Sequence, residues 1–449
     1  MILLSENKLR REMGFVAALT TVIGTVIGGG VFFKATAVYG ATGSASLGLL
    51  AWIIGGIITI CAGLSGAELA AAIPKTGGMV AYLKHTYGDL TAYLLGWAQT
   101  IIYFPANIAA LSIIFGTQAV SIFGVPANSN QFTVTIIAVV TAIFITLMNF
   151  LGAKTAGSIQ SLFTICKLIP LAILIIFGLL HDGNVTFQLF PIEVGSDRSF
   201  LPALGSALLA TMFAYDGWIL VGNIAGEMKN PKNDLPKAIV FGLAAVMAVY
   251  LLINISFLFV LTAAQLAGTS TPATEVSKVL FGNFGGKLVS IGILISVFGT
   301  INGYTMTGMR VPYVMAREQK LPFSSWFGKL SKTGVPYNAG LFILIVAIFM
   351  MFIGGFDLLT DMLVFVIWIF YTLTFIAVYI LRKREPDLKR PYRVPFLPLV
   401  LTIAIIGGIF IVVNTLMTQT ILAFWGIGLT LIGLPVYYML RKKHVVVDD

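Results

Sequence analysis

Gly24-Thr25-Val26-Ile27-Gly28-Gly29-Gly30 lies in the middle of the first hydrophobic segment of this 449-residue chain. Each glycine weakens the helical preference by about 1 kcal/mol relative to alanine. The loss falls where a bilayer most demands intact backbone hydrogen bonding, because hydrocarbon offers no partner to a freed N–H or C=O. Close helix packing through small residues is the ordinary explanation of glycine in a span, but such residues recur four apart, and three in a row fit it poorly. The stretch therefore predicts a broken first helix, with half-helices at 12–25 and 31–39, around a binding cavity that encloses the exposed backbone.

The rest of the chain places that break in a bilayer. It is 58% hydrophobic and 10% charged, with a mean hydropathy of +0.96, which excludes an ordinary soluble domain and predicts an all-α polytopic membrane protein. At roughly 20 apolar residues per span, twelve transmembrane helices are expected, near 12–40, 43–72, 88–115, 131–150, 157–180, 200–225, 237–262, 288–316, 337–354, 358–382, 394–413 and 419–440. The formal net charge of +10 reflects topology rather than nucleic-acid binding, since the basic residues fall in short loops between apolar runs. With the N-terminus in the cytoplasm, only Lys34, Arg198, Lys278 and Lys287 of the 28 basic residues lie on the outer side. Both termini are then cytoplasmic, in a multi-pass protein of the plasma (inner) membrane. The charged start Lys8-Leu9-Arg10-Arg11 leads into a segment too long for a signal core, so the first span is expected to stay. Cys61 and Cys166 both lie inside spans and are read as packing residues, which leaves neither a disulfide framework nor a metal cluster.

Further along, span 2 is expected to end at Pro74, with Met79-Val80-Ala81-Tyr82-Leu83 forming a short inner helix. Span 5 carries Lys154 and Lys167; for Lys154, position alone leaves snorkelling to the inner surface and a functional role evenly matched. In span 6, Phe213-Ala214-Tyr215-Asp216-Gly217-Trp218 sets a carboxylate and a glycine in the centre of an apolar run. A carboxylate there costs about 3 kcal/mol unless it meets a cavity or a partner, so a second helix break is expected. Asp234 is the expected N-cap of span 7, with Pro236 in its first turn. The two breaks are five spans apart. Segments separated by an odd number of spans run in opposite directions, which predicts a 5+5 inverted repeat, about 12–180 and 200–382, with two additional helices at 394–440.

Each break offers backbone N–H groups at the start of one half-helix and carbonyls at the end of another, a pairing matched to a zwitterion. An amino acid's carboxylate would be held by the amides of Gly28, Gly29 and Gly30. Its ammonium would meet carbonyls near Val26, Phe213 and Ala214, with Ile27, Tyr215 and Asp216 completing the two broken segments. No cofactor or metal is implied.

The motifs GTVIGGGVF in span 1, PKTGGMVAYL after span 2, NFLGAK before span 5, FAYDGW in span 6 and GEMKNPKNDLPKAI after it together resemble the L-type amino acid transporter family of the amino acid, polyamine and organocation superfamily. Within it, the chain looks like the bacterial exchangers of alanine, serine and cysteine. The resemblance covers essentially the whole chain and implies sodium-independent exchange by alternating access, with substrate at the unwound parts of spans 1 and 6. It also implies a lysine on span 5 that reaches the span 1 break near the place where sodium-coupled relatives bind sodium, and Lys154 is matched to that role while Lys167 stays with snorkelling. Many members have serine at the position of Gly29, so a hydroxyl contact to the carboxylate is absent here. Animal members attach a glycoprotein subunit through an outer-loop cysteine, and the loop 124–130 has none, so no disulfide-linked heavy subunit is expected.

Two other transport readings stay open. A cationic amino acid or polyamine carrier would use Asp216 for the extra ammonium, and a proton-coupled symporter would cycle protons on a buried lysine. A membrane enzyme is disfavoured, because His85, His181 and His444 fall near loops or ends and no triad or zinc spacing appears.

Overall fold

The computed structural model describes residues 14–73, 78–123, 130–152, 163, 166–182, 187–219 and 228–445, less the side chains of 17, 231, 232 and 442–445. The regular elements among those residues are all helices, without a strand element. Eight helices are long and apolar enough to cross a bilayer, and the bent pair Ala18–Val26 and Gly30–Thr42 makes a ninth. Three shorter apolar helices, Leu168–Leu179, Phe200–Ala214 and Tyr337–Ile353, take the positions of spans 5, 6 and 9 and bring the count to the expected twelve.

Span 1 consists of Phe15–Val26 and Gly30–Thr42, which meet at 50°. Span 2 is Ala45–Ala72, started by Ser44, whose hydroxyl accepts the Leu47 amide at 3.3 Å and satisfies one of the four free N–H groups of the first turn. The inner helix is Met79–Tyr87. Pro74, the expected stop of span 2, lies outside the described residues. Span 3 runs over Asp89–Ile122, with a π-helical turn at Gln99–Tyr103. Span 7 differs from expectation at its start: the helix begins at Pro231 rather than after Asp234. Proline at the first helical position lacks only an N–H that would have no partner there, so Asp234 falls within the first turn, where the helix dipole favours a carboxylate. Pro236 then lies inside the helix.

Span 8 is Pro272–Gly308 continued by Arg310–Arg317, and Gly282, at φ +67, divides an outer segment from the span proper. Span 10 is Phe356–Arg384, span 11 is Leu397–Thr418, and span 12 is Thr420–Leu431 followed by Gly433–Val445. The first half of span 1 packs on span 7 and its second half on span 6, while span 2 packs on span 7. The two breaks consequently lie side by side in the buried centre, and apolar side chains such as Leu147, Phe349 and Ile421 cover the outside of the bundle.

Near the end of span 2, Glu68 is 1% exposed and accepts Arg382 Nε at 2.8 Å and the Val394 amide at 2.7 Å, which ties span 2 to the end of span 10. The inner helix docks on the same end. Arg384 donates to the carbonyls of His85 and Thr86, and His85 Nε2 lies 2.9 Å from Glu385, a hydrogen bond that holds the Glu385 carboxyl below its ordinary range.

Candidate functional site

The first half-helix of span 1 ends at Val26, and the second starts at Gly30 with Gly29 at its N-cap and no side chain capping it. That leaves the amides of the glycine run facing the gap, with the positive end of the helix dipole behind them. Val26 and Ile27 are buried, Gly29 and Gly30 are buried, and Gly28 is partly exposed. In span 6 the helix ends at Ala214 and the chain turns through Tyr215, Asp216 and Gly217, the last at φ +102, a left-handed conformation that favours glycine. Phe213, Ala214, Tyr215 and Asp216 are all buried.

The breaks touch at two points. A Cβ added at Gly30 would lie 2.8 Å from the Cα of Ala214, and one at Gly217 would lie 2.8 Å from the carbonyl oxygen of Thr25. Both are backbone contacts, so glycine is required at each. Gly29 is less constrained: its nearest neighbour would be Leu111 Cδ2 at 3.0 Å, the movable end of a side chain. A small side chain there needs only a small shift of Leu111.

Lys154 lies outside the described residues. Among those described, the lysine that reaches the break is Lys167, and the snorkelling reading of that residue is corrected: it is 5% exposed. Its Nζ donates to the carbonyls of Gly24 and of Ile27, the latter at 2.5 Å. Its position just before the helix Leu168–Leu179 turns the side chain inward to span 1 rather than outward to the inner surface. An ammonium there satisfies the last carbonyls of the first half-helix and supplies positive charge at the negative end of its dipole.

Sequence reasoning missed Tyr250 of span 7. Its hydroxyl is fully buried and lies 3.1 Å from the Val26 carbonyl and 2.8 Å from the Ala214 carbonyl, so one O–H bridges the ends of both half-helices. The carbonyls expected to meet a substrate ammonium therefore already have a protein neighbour, and Phe213 O accepts the Asp216 amide at 3.3 Å. Each carbonyl keeps a second lone pair for a ligand. Tyr215 donates to the Trp52 carbonyl at 3.0 Å, which directs its hydroxyl to span 2. Tyr250→Phe removes the bridge and leaves buried carbonyls short of a donor, at about 1–3 kcal/mol. Initial exchange rates in proteoliposomes are expected to fall about tenfold, with a lower melting temperature of the purified protein; wild-type values of both would show that the bridge has no role.

Asp216 is enclosed by phenols. Tyr371 of span 10 donates to Oδ1 at 3.1 Å, Tyr304 of span 8 lies 3.3 Å from Oδ2, and Tyr103 of the π-helical turn donates to the same Oδ2. A π-helical turn inserts one residue into a helix, and here the turn ends on Tyr103. The carboxylate thus joins span 6 to spans 3, 8 and 10.

A second buried group lies on the second half-helix of span 1. Lys34 is 0% exposed, donates to Asp357 at 2.8 Å and Thr360 at 2.7 Å, and stands 3.4 Å from Asp361. Its Nζ lies 4.9 Å from the ring centroid of Phe356 and 5.5 Å from that of Phe213, within reach of cation–π attraction. The second half of span 1 is thereby fixed to span 10 and to the residue that opens the span 6 break. The spacing of Asp357 and Asp361, four apart at a helix start, was the available signal for it. Among the described residues, no group of three or more His, Cys, Asp or Glu side chains is arranged to hold a metal.

Comparison with known proteins agrees with this architecture. The chain matches the amino acid permease family over residues 13–440. It is 41% identical over 440 residues to the serine/threonine exchanger SteT of Bacillus subtilis (strain 168), covering 98% of each chain. It is 31% identical to the human b(0,+)-type amino acid transporter 1 over 88% of this chain and 81% of that one, and 29% identical to the human cystine/glutamate transporter over 96% and 85%. The family match takes in both breaks, Lys167 and all of the spans that surround them, and the chain belongs to the amino acid permease family as an L-type membrane transporter of amino acids rather than an enzyme.

Proposed function

We propose that the protein is a sodium-independent exchanger of small neutral L-amino acids, of the alanine, serine and cysteine type, working by alternating access across the plasma membrane with both termini cytoplasmic. The observation that carries this reading is Lys167 Nζ on the carbonyls of Gly24 and Ile27. A covalent ammonium at the end of the first half-helix supplies the charge that a coupling cation would otherwise bring, so the break stays formed without sodium. Lys167 takes the role that the sequence reading gave to Lys154.

The substrate carboxylate binds the amides of Gly28, Gly29 and Gly30, and its ammonium binds the free lone pairs at Val26, Phe213 and Ala214. The dipole ends of the two half-helices match both charges of a zwitterion. The two five-span units, 12–180 and 200–382, rock against each other around this site, with the helices of 394–440 outside it. The 41% identity to a serine/threonine exchanger supports exchange and a small substrate. The chain's two cysteines, Cys61 within span 2 and Cys166 beside span 5, support function without a disulfide-attached subunit.

The test is uptake of labelled alanine, serine, leucine and arginine into proteoliposomes with and without internal amino acid. Uptake of alanine and serine that requires internal substrate is the expected result; equal uptake into empty vesicles overturns exchange. A proton-coupled symporter is the second reading, favoured by one observation: the described partners of Lys167 are carbonyls, with no carboxylate among them to hold it in an ion pair. Uptake into empty vesicles that an uncoupler abolishes would select it.

A further inference from the structure

Asp216 is a buried carboxylate within the broken segment of span 6, one residue from Gly217, whose Cα lies against the Thr25 carbonyl of the span 1 break. A carboxylate at that place is suited to the second ammonium of a lysine-like substrate or to a guanidinium. Both of its oxygens are taken instead by phenols, Oδ1 by Tyr371 and Oδ2 by Tyr103 and Tyr304. The phenol donors come from spans 3, 8 and 10, and the backbone amide of Gly217 adds a donor from the break itself, so the demand of the carboxylate is met by the protein.

We propose that the hydroxyls of Tyr103, Tyr304 and Tyr371 set the substrate specificity of this site, excluding amino acids with cationic side chains by saturating the carboxylate that would bind them. The inference rests on the neutral amino acid exchange proposed above. A cationic side chain can reach Asp216 only by displacing a phenol, which strands a buried O–H without a partner and offsets what the new ion pair gains. A neutral substrate leaves the cage intact. The filter therefore acts by removing attraction for cations rather than by obstructing space, and a single oxygen atom per tyrosine carries it.

That makes the test nearly free of shape change. Phenylalanine at 371 keeps the ring that packs 5.1 Å from Trp218 and 5.7 Å from Trp368, and phenylalanine at 304 keeps the contact 6.4 Å from Phe104. Proteoliposomes loaded with serine carry wild type, Tyr371→Phe, Tyr304→Phe or the double variant, and arginine competes with labelled serine outside. In wild type, arginine is expected to compete poorly. The ratio of arginine to serine affinity is expected to rise about tenfold in the double variant, and Asp216→Asn in that background is expected to cancel the rise. For a variant that no longer cycles, binding of labelled arginine and serine to the purified protein reads the same ratio.

If the tyrosines only fix span 6, serine and arginine fall together and the ratio stays constant, which overturns the proposal. A wild type that handles arginine as well as serine overturns it too. A wild type that exchanges neither serine nor alanine defeats the parent reading instead, so the two failures are distinct.

Discussion

Lys167→Ala is expected to lower amino acid exchange about 100-fold or more in proteoliposomes while the protein still inserts and purifies. The ammonium makes two hydrogen bonds to carbonyls of span 1, and bonds to a charged donor contribute about 1.5–3 kcal/mol each. Losing both removes about 3 kcal/mol or more from the conformation that holds the break, which corresponds to at least 100-fold in the population able to bind. Lys167→Arg is not a conservative rescue, because a planar guanidinium cannot place one compact charge between two carbonyls as an ammonium does. Exchange kinetics of Lys167→Ala equal to wild type would remove the residue from the mechanism.

The second large effect belongs to the glycines where the breaks touch. Gly30→Val and Gly217→Ala each direct a side chain at backbone 2.8 Å away, the Cα of Ala214 in one case and the Thr25 carbonyl in the other. Backbone cannot swing aside as a side-chain end can, so spans 1 and 6 must part. Gly217→Ala also puts alanine at φ +102, outside its comfortable range. Both variants are expected to lose exchange to the background of empty vesicles. Gly40→Ala is the control: a Cβ there meets nothing within 4 Å, and alanine favours a helix by about 1 kcal/mol, so rates near wild type are expected. A Gly30→Val variant that exchanges at the Gly40→Ala rate would contradict the contact.

The sequence disclosed the parts of this site that break a local rule. Three adjacent glycines in a span, and an aspartate beside a glycine in another, violate bilayer constraints on their own and need no neighbour to be noticed. Lys167 was not recoverable that way. It and Lys154 are thirteen positions apart, and on one continuous helix they would lie roughly 220° apart, so only the packing of span 5 on span 1 decides which reaches the break. Tyr103, Tyr250, Tyr304 and Tyr371 were invisible for a related reason. An apolar helix tolerates tyrosine at many positions, and no periodicity links residues brought together from spans 3, 7, 8 and 10. Lys34 was read as a marker of the outer side, when its burial against Asp357 and Asp361 makes it part of the core. The expected start of span 7 failed on cap preference: Pro231 pre-organises the first turn ahead of the Asp234 signal.

The central claim is that a lysine of the chain stands where a coupling cation would, and sodium substitution tests it most directly. Initial rates of alanine exchange are measured in proteoliposomes loaded with alanine, with external and internal sodium replaced by choline at constant ionic strength. Rates that do not change on replacement are the predicted result. A rate that falls as sodium is withdrawn from the wild-type protein would mean that Lys167 does not supply the charge at the break, and would contradict the account.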